Sequence, residues 1–306
     1  MAELLTEVPG RALAIYAHPD DPDVACGGTL AAWAAAGCEV HSLICTDGGK
    51  GTADPACQPA ELVERRRAEA AGAAAVLGLA GQEQLGLADG EVVDDPAFRE
   101  ALVARIRHLR PDVVLCPDPT AVFFGQEYFN HRDHRVVGMA ALDAVAPAAA
   151  MPHYFPAAGP PHQVATVLLT GTLEPDVWVD ISRVVDAKAE AVGCHRSQFP
   201  DGPWRSTLAN SHSVSGSSDT GAVSMKARTS SNSASGVLAV GRGFFLRDGC
   251  GGTLIASASE RKSFVPTFTS WSSTTGRLAA AELADEALTS FFVLSTALDV
   301  PEDACF

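Results

Sequence analysis

The residues best suited to chemistry in this 306-residue chain fall in two short runs, "AHPDD" at 17–21 and "NHRDHR" at 130–135. The first offers His18, Asp20 and Asp21 directly after small and apolar residues, and the second offers His131, Asp133 and His134. On a helix, a spacing of three puts the imidazoles of His131 and His134 on one face. A catalytic zinc takes three protein ligands of the His and carboxylate type and leaves one position for water. His18, Asp21 and His134 would make such a set. Asp20, beside a ligand, would point elsewhere and could accept a proton from the water. Each run also has an ordinary use. His18 before a proline can be a plain loop residue, and Asp20 and Asp21 can cap the following helix. Asn130 with Asp133 three residues on reads as a near capping box, and His131 with His134 as a solvated helix face. Those uses leave one coincidence unexplained: both runs follow strand-like segments that belong at one sheet edge.

The elements that must position them can be read from periodicity. Buried strands are expected over 11–17, 39–46, 112–118, 163–171 and 177–181, and helices over 27–37, 61–78, 96–110, 130–146 and 182–194. Strands alternating with helices imply crossover units, hence an α/β, Rossmann-like fold with a mainly parallel sheet and helices on both faces. Ligands of such sheets bind at the carboxyl ends of the strands. That rule gathers the loops 18–26, 47–60 and 118–131. After about residue 204 the character changes. Residues 205–306 are rich in Ser and Thr and weakly periodic, with a helical pattern returning only over 276–298. The expectation is a catalytic-type domain over 1–204 and an atypical extension, not needed by the core, over 205–306.

Composition narrows the classes of function. A formal charge of -15 argues against nucleic acid, which requires a basic surface, and against anionic membranes. No basic leader with an apolar core and no run of about 18 apolar residues is visible, so the cytoplasm is the expected location. The eight cysteines show no CxxC pair and read as buried or incidental thiols. A dinucleotide-binding enzyme would need a Gly-rich fingerprint after the first strand, and "HPDDPDVACGG" has no GxGxxG. A non-catalytic binding protein on a degenerate scaffold is the other rival.

"AHPDD" followed by "GGTLA", together with "NHRDHR", closely resembles the PIG-L/LmbE-like family of zinc-dependent de-N-acetylases. Further matches follow in order: "TDGGKG" (46–51), Arg66 and Glu69 with "AAAVLG" (73–78), "LADGEV" (87–92) and "VWVDIS" through "CHRSQ" (177–198). The resemblance covers roughly residues 10 to 200. It implies that His18, Asp21 and His134 bind zinc and that Asp20 is the general base. It implies that His131, when protonated, stabilises the oxyanion and assists the leaving amine, and that Asp133 supports the histidine. That last role requires 131–133 to lie at a non-ideal helix start, since i and i+2 diverge on a regular helix. It sets Arg66 and Asp89 against the sugar. The implied substrate is a small N-acyl compound, an amino sugar or its conjugate, and the implied assembly is a homo-oligomer. An amidase for thiol-sugar conjugates is the alternative within the same machinery. The commoner motif has Glu directly after the second aspartate, whereas here Pro22 intervenes and the next acid is Asp23. That shift bears on the substrate, not on the metal.

Overall fold

The computed structural model describes residues 3–126, 128–200 and 222–229. The chain divides into two compact units, Met1–Leu238 and Ala239–Phe306, and every described residue belongs to the first. In chain order the main elements are β1 (Glu3–Leu4), β2 (Arg11–Tyr16), α1 (Asp21–Ala35), β3 (Glu39–Thr46), α2 (Pro59–Leu77), β4 (Gly81–Leu87), α3 (Pro96–Leu109) and β5 (Val113–Pro117). They continue with β6 (Phe123–Phe124), β7 (Tyr128–Phe129), α4 (Arg132–Asp143), β8 (Thr166–Thr170), β9 (Val177–Asp180), α5 (Val185–Cys194) and β10 (Ala222–Thr229). Eight strands form one sheet in the order β1-β9-β10-β8-β5-β2-β3-β4, and β6 with β7 makes a separate hairpin. β2 pairs in parallel with β3 and β5, β3 with β4, and β5 with β8. β10 runs antiparallel to both of its neighbours, β8 and β9.

Helices cover both faces. Along β2, Leu13 and Ile15 join one buried cluster with Leu102 and Ile106 of α3 and Val137 of α4. Ala12, Ala14 and Tyr16 join another with Leu30 of α1, Ala73 of α2 and Ala191 of α5. A strand whose alternate side chains both meet a helical layer must be apolar throughout, as "ALAIY" is. The α/β, mainly parallel sheet is therefore observed. No helix among the described residues is long and apolar enough to cross a membrane.

Several boundaries differ from the sequence reading. α1 begins at Asp21, not 27, because Pro22 suits a first helical turn and starts the helix early. β4, "GQEQLGL", was not expected, since its polar, half-buried composition is that of a sheet edge. The helix expected over 130–146 starts at Arg132, runs as α-helix to Asp143 and continues into a π-helical segment, Ala144–Ala149, with non-helical backbone at Ala146, and α5 starts at Val185 rather than 182. The sheet is also not complete at residue 204. β10 comes from beyond that boundary and hydrogen-bonds to strands on both sides. The helix expected over 276–298 lies outside the described residues.

Candidate metal centre

β2 and β5 are adjacent in the sheet, so the segments leaving their carboxyl ends meet. The first passes through His18 and Asp20 into Asp21, the first residue of α1. The second runs from Asp118 past the β6–β7 hairpin to His131, which occupies the position just before α4. His134 follows in the first turn of that helix.

Three donors converge there. His18 Nδ1 lies 3.1 Å from His134 Nε2 and 3.2 Å from Asp21 Oδ2, and His134 Nε2 lies 3.2 Å from Asp21 Oδ1. Donors bound tetrahedrally to one ion at zinc bond lengths stand roughly 3.3 Å apart. Each imidazole is braced from behind. His134 Nδ1 is 3.1 Å from Asn130 Oδ1, and Asn130 donates its Nδ2 to Ala121 O at 2.8 Å. His18 Nε2 is 3.3 Å from Asp89 Oδ1 and 3.7 Å from Asp133 Oδ2. Carboxylates behind ligating imidazoles fix the ring and raise its basicity.

The electrostatics ask for a cation. Burial disfavours the His18 imidazolium, yet the Asp21, Asp133 and Asp89 carboxylates outweigh burial and push its pKa up to about 12. Asp21, against its own burial, is held well below the usual carboxylate range by His134 and His18. A donor set this short of positive charge, with two nitrogens and a carboxylate at matched spacing, fits a divalent metal. Among the described residues, two groups of three donor atoms lie within 4.8 Å of one another, His18 with His131 and His134, and His18 with Asp89 and Asp133; Asp21 adds a carboxylate that meets His18 through Oδ2 and His134 through Oδ1.

His131 stands beside the triad, its ring centroid 4.8 Å from that of His18 and 5.3 Å from that of His134. Its Nδ1 accepts from the Asp133 backbone N–H at 3.1 Å, so the neutral ring carries its hydrogen on Nε2. Burial, then His18 and His134, lower its pKa. Residue 131 has extended backbone (φ -53°, ψ 145°), the irregular start that support from Asp133 required. That support comes from the Asp133 backbone; its carboxylate turns to His18 and accepts from Gly90 N–H at 2.7 Å.

Asp20 does not cap α1 with its side chain. Its Oδ1 instead accepts from Arg66 Nη2 at 2.6 Å, while Arg66 Nη1 donates to Gly48 O at 2.9 Å. The glycines of "TDGGKG" make room for that guanidinium: a Cβ on Gly48 or Gly51 would stand 2.7 or 2.4 Å from Nη1. Asp89 accepts from Lys50 N–H at 3.1 Å. Arg66 and Asp89, expected at the sugar, are thus both buried against protein partners.

Sequence reasoning missed the bracing roles of Asn130, Asp89 and Arg66, and it missed the destination of the shifted acid. Asp23 points away from the donors and meets His195 Nε2 at 2.7 Å, both residues being buried between α1 and α5. The signal was present in "CHRSQ", whose Ser197 donates to Glu69 at 2.6 Å and whose Gln198 donates to Gly51 O at 2.9 Å.

The chain is similar to known de-N-acetylases. The PIG-L family profile, described as GlcNAc-PI de-N-acetylase, matches residues 13–145. A diacetylchitobiose deacetylase of Thermococcus kodakarensis is 35% identical over 198 residues, spanning 63% of this chain and 72% of its own. A 1D-myo-inositol 2-acetamido-2-deoxy-alpha-D-glucopyranoside deacetylase of Rhodococcus jostii is 31% identical over 265 residues, spanning 67% of this chain and 87% of its own. Among solved structures, the N,N'-diacetylchitobiose deacetylase of Pyrococcus horikoshii, complexed with its inhibitor MPG, superposes with a TM-score of 0.64 at 29% identity, covering 72% of this chain and 84% of that one.

Proposed function

This chain belongs to the PIG-L family, and from that premise we propose that it is a zinc-dependent hydrolase removing the acetyl, or another acyl, group from the amide nitrogen of an amino sugar or related small molecule. The observation that supports this most is the convergence of His18 Nδ1, Asp21 and His134 Nε2 with the Asp20 carboxylate in the adjoining residue. In our reading these three residues hold the ion, because the Asp21 carboxylate stands 3.2 Å from both imidazoles, which are themselves 3.1 Å apart. Zinc held there would polarise the acyl carbonyl and acidify water.

The chain's own groups supply the rest. Asp20, held by Arg66, takes a proton from the attacking water and later returns it to the amide nitrogen as the C–N bond breaks. The acyl carbon gains the hydroxyl and leaves as a carboxylate; the nitrogen leaves as an amine. His131 donates its Nε2–H to the oxygen on which charge develops. Asp133 and Asp89 keep the His18 ring oriented, and Arg66 and Asp89 reach a sugar only by sharing their present partners with it.

The names of the two relatives speak of N-acetylated sugars, which supports that class as substrate. The amide of a thiol-sugar conjugate offers the same bond with a larger acyl part. The test is to incubate the zinc-loaded full chain with N,N'-diacetylchitobiose, with the acetamido-glucosyl inositol, and with a thiol-sugar conjugate, and to quantify free amine and acid. We expect equal amounts of both from at least one sugar, abolished by a chelator and restored by zinc. No amine from any of the three would contradict the proposal. Cytoplasmic location and homo-oligomeric assembly complete the reading; light scattering on the purified protein tests the assembly.

A further inference from the structure

Beside the donors lies a cavity of about 180 Å³, bounded on one side by Asp21 and His134 themselves. Most of the remaining wall is apolar: Val24 and Ala25 of α1, Pro117 at the end of β5, Gly171, and the rings of Phe124 and Tyr128, with Tyr16, Asn130 and Thr170 completing it. The β6–β7 hairpin supplies those rings as a unit. Phe124 pairs across the hairpin with Tyr128, their centroids 5.7 Å apart, so both fall on the same face of the ribbon.

Three polar side chains of the wall, Tyr16, Thr170 and Asn130, are already committed to protein. Tyr16 Oη and Thr170 Oγ1 bond to each other at 2.8 Å, and Asn130 spends its oxygen on His134 and its nitrogen on Ala121 O. A sugar ring placed there would turn most of its hydroxyls toward carbon or toward these committed groups, which costs free energy for each one left unpaired. An alkyl or aryl group has no such need. The size points the same way, since an engineered apolar cavity of roughly 150 Å³ holds benzene. A lone acetyl methyl would leave most of this one unfilled.

We propose that this cavity is an acyl-chain subsite, and that the preferred substrate carries an N-acyl group longer than acetyl, of about four to six carbons or an aromatic ring. The proposal rests on the hydrolase reading above and adds to it the class of group removed. Each buried methylene contributes up to about fourfold in binding.

The experiment compares N-acetyl-, N-butanoyl- and N-hexanoyl-glucosamine on the zinc-loaded full chain. It is paired with calorimetric binding of the same three compounds to the Asp20→Asn protein. We expect kcat/KM for the hexanoyl compound to exceed that for the acetyl compound by at least ~10-fold, with binding in the same order. Ala25→Leu, which fills the cavity, should bring the ratio close to one. Val24→Phe, at a half-exposed position that tolerates bulk, should lower it too. Turnover of the acetyl compound with no gain on lengthening, or a ratio untouched by both substitutions, would overturn the subsite and leave the hydrolase reading standing. Neither turnover nor binding of any of the three would overturn both.

Discussion

Asp20 matters for what its carboxylate is not doing. A helix-capping aspartate spends its oxygens on backbone N–H groups, whereas this one accepts from Arg66 and lies beside the donor Asp21. Asp20→Asn should therefore keep its metal and lose at least ~10²-fold in turnover, the scale of a missing general base. Metal analysis and initial rates on one preparation check both halves, and near wild-type activity would move the base elsewhere. Asp89→Asn separates two roles. If Asp89 chiefly orients His18, metal affinity should fall about 10- to 100-fold in chelator competition; a raised KM at unchanged metal affinity would instead make it a sugar contact. Side-chain type and spacing singled out His18, Asp20, Asp21, His131 and His134 in the chain alone, and the structure gathers His18, Asp21, His131 and His134 at one place. The braces were not readable. Asn130 looks like a helix cap in sequence, and the pairing of Arg66 with Asp20 exists only once α2 lies beside α1.

α4 is where an element's placement decides whether the donors meet. It packs so closely on the end of β5 that a Cβ at Gly138 would stand 2.4 Å from Pro117 O. Backbone cannot move aside as a side chain can, so Gly138→Ala should push the helix outward. His134 sits one turn earlier on the same helix and would travel with it. We expect a stability loss of about 1–3 kcal/mol in urea unfolding, together with weaker zinc binding. Unchanged binding in that variant would show that His134 is held by Asn130 and not by the helix. The strongly apolar strands and long helices were legible because their periodicity is set by burial. β4 was not, because an edge strand with polar residues carries no such signal. The start of α1 at Asp21 carries no clear signal either, because "PDDP" suggests a loop although proline fits a first turn.

The sheet, at the scale of the whole chain, is joined by a strand from a stretch that composition marked as dispensable. β10 lies between β8 and β9, so a protein ending at Pro203 would uncover hydrogen-bonding edges on both. Composition could not reveal this, because the strand is eight residues inside a long Ser- and Thr-rich stretch and owes its place to partners far away in sequence. We expect the chain ending at Pro203 to be insoluble or to unfold without cooperativity. We place the functional boundary near Leu238, where the first compact unit ends. A chain ending there should melt as one transition by circular dichroism and retain its zinc. Cooperative folding of the shorter chain would contradict the account of β10, and failure of the longer one would extend the core beyond 238.

One cation at one position underlies these expectations, and anomalous diffraction at the zinc absorption edge locates it directly. In crystals of the zinc-loaded protein, the account predicts one strong peak about 2.0–2.2 Å from His18 Nδ1, His134 Nε2 and the Asp21 carboxylate. A peak on the other side of the His18 ring, between Nε2, Asp89 and Asp133, or none near His18, would contradict it.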